Sequence, residues 1–397
     1  MRNKLTVISF ICATSLCIGS HALAQAHGTA QAPTADTKRA SVEQVGSGSQ
    51  GWKPWPAEFV TRLQTGAADG NARDQYYLGL GYETGVAGRQ SVSEALKLYR
   101  SAAELGHPPA WVALGRLYVR GHGVPKNDVE AAQWFRRAAD KGDYDGMTEL
   151  GRCYSEGRGV PKDQPRAVRL FEIAAKGGNP DAQQLLGISY FEGNGVAKSL
   201  NEAIVWWRRA AEKNHVSSQF MLGLILRDSM VASNYAEALK WLHEVARHGD
   251  ASAWFQLGVT YEHGLAGVEK DPSKAIDWYK KAAGAGQARA SYAIGRIYEN
   301  GIDGRKNPEL AKFHYIKASY GNYKPAGERL DVLNEAEAAE NVRTRLAVPT
   351  GCRIVYETEP TTDVTNVCDY NSLGPTNCRD EVKSGTRQVS KKVCSGT

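Results

Sequence analysis

The side chains best suited to chemistry fall into three groups. The first is His243-Glu244 with His248, which has the residue types of a zinc-chelating helix. Chelation from one helix needs two histidines four apart on one face, and here the second lies about 140° round from the first. It also falls beyond the predicted helix end, so the cluster reads as side chains near a C-terminus, where the dipole favours positive charge. The second group is Cys352, Cys368, Cys378 and Cys394. The third is a set of arginines, aromatics and one amide that recur at one position of a repeating pattern. They are Tyr76, Arg116, Arg120, Arg152, Gln184, Phe220, Phe255, Tyr292 and Arg296. No Ser-x-x-Lys, Gly-x-Ser-x-Gly or Walker-type loop occurs. No catalytic, cofactor-binding or metal-binding residue is therefore expected, and the chain reads as a binder, not an enzyme.

The elements that carry the third group are set by an internal repeat over residues 72–322. A Leu-Gly pair recurs at Leu78-Gly79, Leu114-Gly115, Leu150-Gly151, Leu186-Gly187, Leu222-Gly223, Leu257-Gly258 and, as Ile-Gly, Ile294-Gly295. Tyr82, Tyr118, Tyr154, Tyr190, Leu226, Tyr261 and Tyr298 follow four residues after the Leu or Ile, on the same face of one helix. A small pair such as Ala138-Ala139 or Ala174-Ala175 marks a second helix, preceded by an aromatic as in Trp134-Phe135, Trp206-Trp207 and Trp278-Tyr279. Ser91, Asn127, Asp163, Ser199, Asn234, Asp271 and Asn307 stand where that second helix needs an N-cap. Gly106, Gly142, Gly178, Gly249 and Gly286 stand where it must end with positive φ. Only the loop inside each unit changes length, as expected of surface against packed segments.

These columns, with Gly121-His122-Gly123-Val124, Gly157-Arg158-Gly159-Val160 and Gly193-Asn194-Gly195-Val196, resemble the Sel-one-like repeat family, relatives of the tetratricopeptide repeats. The fifth unit departs, with Arg227-Asp228-Ser229-Met230 in place of the Gly-rich loop. The resemblance implies an all-α, right-handed α-solenoid of helix-turn-helix repeats that binds a protein partner. In such solenoids the first-helix face opposite the Leu and Tyr columns lines a concave groove. That face holds Tyr76, Leu80, Val112, Arg116, Arg120, Thr148, Arg152, Gln184, Ile188, Phe220, Leu224, Phe255, Tyr292 and Arg296. Exposed aromatics beside arginine are favoured at binding hot spots, and Arg116, Arg120 and Arg152 read as a basic patch for an acidic segment. The plainer reading is that the aromatics pack on neighbouring helices. Cysteine-rich bacterial members of the family, tied to penicillin-like ligands, carry a disulfide in each repeat, and this chain does not.

Residues 1–24 read as a secretory signal, with Arg2 and Lys4 before an apolar run and Ala22-Leu23-Ala24 as the cleavage site. The apolar run is too short to span a bilayer. Removing the leader leaves 47 of the 49 basic residues against 43 acidic, a balance too mild to imply nucleic acid. The mature chain is expected to be periplasmic or secreted, monomeric and without a transmembrane segment. Residues 25–51 read as a flexible linker. Residues 52–71 hold an N-terminal capping helix and residues 323–349 the C-terminal capping helices, as solenoid ends require.

Residues 350–397 form a cysteine-rich, β-rich module. Its four cysteines are too widely spaced for a zinc site and point to two disulfides. Two short hairpins would pair Cys352 with Cys368 and Cys378 with Cys394, turning at Pro360-Thr361 and Ser384-Gly385. Cys153, beside Tyr154, reads as a buried apolar thiol. The function expected is an exported scaffold for protein–protein interaction. The alternatives are a binder of cell-wall glycan or a small ligand, with or without hydrolysis, and an envelope regulator acting through the cystine module.

Overall fold

The computed structural model describes residues 54–229, 231–302, 305–346, 352–371 and 374–394, the last two ranges as backbone alone. The signal at 1–24 and the linker at 25–51 lie outside the described residues. Among these residues there are sixteen α-helices. After α1 (Ala57–Ala68) they alternate as two helices per repeat. The first helices are α2 (Ala72–Thr84), α4 (Pro108–Arg120), α6 (Tyr144–Glu156), α8 (Pro180–Glu192), α10 (Val216–Asp228), α12 (Ala251–His263) and α14 (Ala288–Asn300). The second helices are α3 (Val92–Glu104), α5 (Asp128–Asp140), α7 (Gln164–Lys176), α9 (Leu200–Glu212), α11 (Tyr235–Arg247), α13 (Pro272–Gly284) and α15 (Pro308–Tyr320). α16 (Lys324–Leu346) closes the series. The chain divides into two compact units, one ending at Ala285 and the other beginning at Gly286.

The glycine of each Leu-Gly pair is the contact point between the two helices of its repeat. A β-carbon on Gly79 would lie 2.8 Å from Tyr99, on Gly151 2.5 Å from Phe171, and on Gly258 2.5 Å from Tyr279. In the second unit the same atom on Gly295 would lie 2.6 Å from Tyr315. An aromatic ring on the second helix thus rests on bare backbone of the first, except in the fifth repeat, where Leu242 covers Gly223. Tyr99, Phe135, Trp207, Tyr279 and Tyr315 are all fully buried this way.

Capping follows the predicted column with one exception. Asn127, Asp163 and Asp271 accept hydrogen bonds from the N–H groups of Glu130, Arg166 and Lys274 at 3.1, 2.9 and 2.9 Å. Their own N–H groups reach back to the carbonyls of Tyr118, Tyr154 and Tyr261. That fixes each loop between a glycine at the end of one helix and a cap at the start of the next. The fifth repeat breaks the scheme. Gly85, Gly121, Gly157, Gly193 and Gly264 end their first helices with positive φ, but Ser229 does so at φ −65°. The chain then makes a 3-10 turn over Ala232–Asn234, and Asn234 does not cap α11. Its side chain donates instead to Ser229 Oγ at 3.2 Å.

At the N-terminal end, the Trp55 N–H donates to the Val86 carbonyl at 2.8 Å, and its ring packs on Gly81. At the other end the expected pair of capping helices is one helix, α16, of 23 residues. No glycine or proline beyond Gly327 interrupts its run of good helix formers.

The C-terminal module departs more sharply from expectation. Strands β1 (Cys352–Asn371) and β2 (Gly374–Cys394) form one long antiparallel hairpin in place of two short ones. The two expected turns lie opposite each other in mid-ladder, Pro360 against Thr386 and Thr361 against Gly385. A two-stranded ribbon has only edge strands, where proline's missing N–H is tolerated. Cys352 and Cys368 sit far apart along one strand, so the pairing predicted from sequence is incompatible with this backbone. The register instead sets Cys352 opposite Cys394 and Cys368 opposite Cys378.

Candidate functional site

The predicted stripe on the first helices comes together in the first unit, but as an ion-pair network more than as a basic patch. Arg116 on α4 donates to Glu149 on α6 at 2.8 Å. Glu149 lies 4.0 Å from Arg152, one turn on, and Arg152 reaches Asp181 on α8 at 3.9 Å. His215, at the start of α10, continues the string, its Nε2 lying 3.3 Å from Asp181 Oδ1. His215 Nδ1 accepts the Ser218 N–H at 3.3 Å, which leaves the ring proton on Nε2, facing the carboxylate. Arg120 lies 3.6 Å from Glu83. All three arginines of the expected patch therefore stand beside carboxylates. These groups are 15–35% exposed along the string from Glu149 to Asp181.

The electrostatics follow from that pairing. Burial pushes Glu149 up, but Arg116 and Arg152 together more than offset it and hold its carboxyl below the usual range. Burial also opposes ionisation of Asp181. The His215 hydrogen bond, with Arg152 and Arg116, overcomes it and brings the group to about 2. Asp145, beside the string, goes the other way. Burial raises it, and Arg116 and a 2.6 Å hydrogen bond from Asn179 Nδ2 only partly compensate.

The aromatics of the stripe follow the plainer reading. Tyr76 packs on Tyr99 and His107, with ring centroids 5.9 and 5.4 Å apart, and burial pushes its phenol up to about 12. Phe255 is 6% exposed against Tyr279, so it is a core residue and not a surface available to a partner. Val112, Thr148 and Leu224 are buried too. Gln184 and Phe220 are half-buried, and the Gln184 carbonyl accepts the Trp207 indole N–H at 3.2 Å. Tyr292 and Arg296 belong to the second unit, where Tyr292 packs between Tyr315 and Tyr323. Tyr76, Phe255 and Tyr292 thus pack on the second helix of their own repeat, while Arg116 and Arg152 pair across neighbouring first helices.

The histidines and the odd thiol are plainly placed. α11 ends at Arg247, so His248 lies past it, and the His243 ring packs 5.5 Å from Trp278. Cys153 is buried, and burial pushes its thiol up to about 12. Among the described residues no cluster of His, Cys, Asp and Glu is arranged to hold a metal, and no helix is long and apolar enough to cross a membrane.

Sequence reasoning missed a second column. Gln75 Nε2, Trp111 Nε1, Gln183 Nε2 and Gln219 Nε2 donate to the carbonyls of Ala67, Ala103, Ala175 and Ala211 at 3.0–3.1 Å. Each ties a first helix to the end of the preceding second helix. The signal was a donor three residues before Leu78, Leu114, Leu186 and Leu222, visible but shared between two unlike residue types and missing at Met147.

The model of the family described as Sel1 repeat matches residues 72–107, 110–143, 145–179, 180–215, 216–250, 251–287 and 288–323. Among solved structures, a protective antigen of uropathogenic Escherichia coli with an SLR fold is 30% identical. The match covers 69% of this chain and 67% of that one, with TM-score 0.46. A Sel1 repeat protein from Oxalobacter formigenes is also 30% identical, over 58% of this chain and 95% of that one, with TM-score 0.52. No curated protein matches the chain.

Proposed function

The chain belongs to the Sel1 repeat family, and from that premise we propose that it is a non-catalytic scaffold whose first-helix face docks a protein partner. The observation that carries this is the string Arg116–Glu149–Arg152–Asp181–His215, which spans four successive first helices and still presents its charges to solvent. Its positive and negative groups alternate, which disfavours a uniform polyanion and suits a protein segment carrying both signs. Such a strip sets register and specificity more than raw affinity. Gln184, half-buried beside it, adds an amide that can both donate and accept. The scaffold works outside the cytoplasm, released from its leader after Ala24.

A photo-crosslinker at Gln184 of the full chain, irradiated in an envelope extract, tests the face. A discrete adduct formed at Gln184 and absent with the crosslinker at exposed Ile173 on α7 is expected. Equal labelling from both positions would place the contact elsewhere. N-terminal sequencing of the mature protein should begin at Gln25, and an intact Met1 would sink the export reading.

A further inference from the structure

A cavity of about 240 Å³ opens between α5 and α7, lined by Arg136, Tyr154, Val160, Pro161, Lys162, Asp163 and Arg166. We propose that it is an anion site for a phosphate-monoester group. It is independent of the first-helix face. Tyr154 is its floor and is 4% exposed. Arg136 Nη2 donates to the Tyr154 hydroxyl at 3.0 Å, and the Arg166 guanidinium lies 4.9 Å from the centre of the same ring. One arginine is held by a hydrogen bond and the other by its position over the ring, so both are positioned before a ligand arrives.

The charge at this cavity is uncompensated. Among the described residues, no carboxylate stands within ion-pairing distance of Arg136, Lys162 or Arg166. The one carboxylate in the lining, Asp163, is engaged at the start of α7, where it accepts the Arg166 N–H at 2.9 Å. Three cations against one carboxylate leave two positive charges over, the complement of a phosphomonoester dianion. The volume lies below the roughly 300–1,000 Å³ usual for organic ligands, so it suits a small anionic head more than a whole molecule.

The neighbouring repeats supply the contrast. One repeat on, Glu172 and Glu202 replace Arg136 and Arg166 around Tyr190, and with burial they raise that phenol. One repeat back, Glu130 stands in the place of Arg166. In the fifth repeat Glu237 stands there and takes Arg208 in a two-pronged pair at 2.8 and 3.0 Å. In the sixth, Lys274 is tied to Asp271 at 3.3 Å. The scaffold therefore does not need cations at these positions, and it satisfies them with carboxylates where they are not used. At Tyr154 both arginines are left for a ligand.

Calorimetric titration of the full chain with glycerol phosphate at pH 8 tests the site, with phosphatidylcholine vesicles containing phosphatidic acid as a second arm. The wild type should bind at one site, and R166E should weaken binding at least about tenfold, the loss expected for one charge-assisted contact. R166E installs the residue that the neighbouring repeats already carry, so its melt should be little changed. Affinity should fall as the pH drops below about 6, where a phosphomonoester loses its second charge. Binding in solution assigns a soluble phosphate, and binding only to vesicles, lost in R166E, assigns a lipid headgroup. No binding in either arm, or binding unchanged in R166E, overturns the proposal. Should R166E unfold, K162A decides in its place, and unchanged affinity there overturns the proposal equally.

Discussion

The indole of Trp207 occupies the space that a β-carbon on Gly187 would need. Its Nε1 donates to the Gln184 carbonyl at 3.2 Å, so the ring is pinned to the helix it covers. Gly187→Leu should therefore destabilise the first unit by about 3 kcal/mol, since overpacking a tight contact outweighs the gain in helix propensity. Denaturant unfolding followed by circular dichroism reads this, and an unchanged midpoint would refute the contact.

Gly327 provides the opposite sign. It lies inside α16 with nothing within 4 Å of a would-be β-carbon. Gly327→Ala should stabilise that helix by about 0.5–1 kcal/mol, through the unfolded chain's lost freedom. A lowered melting temperature would mean that the position is crowded after all.

Glu149 is the hub of the ion string, shared between Arg116 and Arg152. Glu149→Gln should cost roughly 2 kcal/mol, because two partly buried guanidinium groups lose their counter-charge. The double replacement Arg116→Met with Glu149→Leu should recover much of that loss, since no charge at this pair is then left unmatched. Chemical denaturation of the set checks both. A double variant worse than the single one would show that the pair itself stabilises.

The sequence made the packing columns legible because each repeat must solve the same contact with the same residue types. Leu-Gly, Tyr and the small pair recur for that reason, and the fifth repeat fails where Ser229 replaces a glycine. The ion string was not legible as a string. Arg116 finds Glu149 in the next repeat and Arg152 finds Asp181 in the one after, so a stripe read along one column showed arginines without their partners. Phe255 was misplaced for a related reason: helical spacing gives its face but not whether a neighbouring helix covers that face. The Tyr154 cavity was hidden because it depends on glutamates being absent from one repeat.

Asp181 makes the first unit acid-sensitive. Its carboxyl titrates at about 2 in the folded chain against 3.8 unfolded. A depressed folded value means its contribution is present above 3.8 and is lost as pH falls towards 2. Melting temperature should drop across that window, and Asp181→Asn should flatten the drop while lowering stability at neutral pH. A variant as acid-sensitive as the wild type would place the titrating group elsewhere.

The register of β1 and β2 makes a prediction about covalent structure. Cys352 lies opposite Cys394 and Cys368 opposite Cys378, and the spacing within each strand is even, so both pairs fall on one face of the ribbon. Residues directly opposite in an antiparallel pair have Cα atoms about 4.5–5.5 Å apart, within the range a disulfide spans. Nested disulfides, Cys352–Cys394 outside and Cys368–Cys378 inside, are therefore expected on exposure to an oxidising compartment. The inner bridge closes a short loop and should stabilise the ribbon by about 3 kcal/mol. An isolated two-stranded hairpin is marginal in water, so reduction should melt this module and leave the helices' circular dichroism in place. Non-reducing peptide mapping decides the connectivity. Recovery of Cys352 joined to Cys368 would restore two short hairpins and overturn the single ribbon.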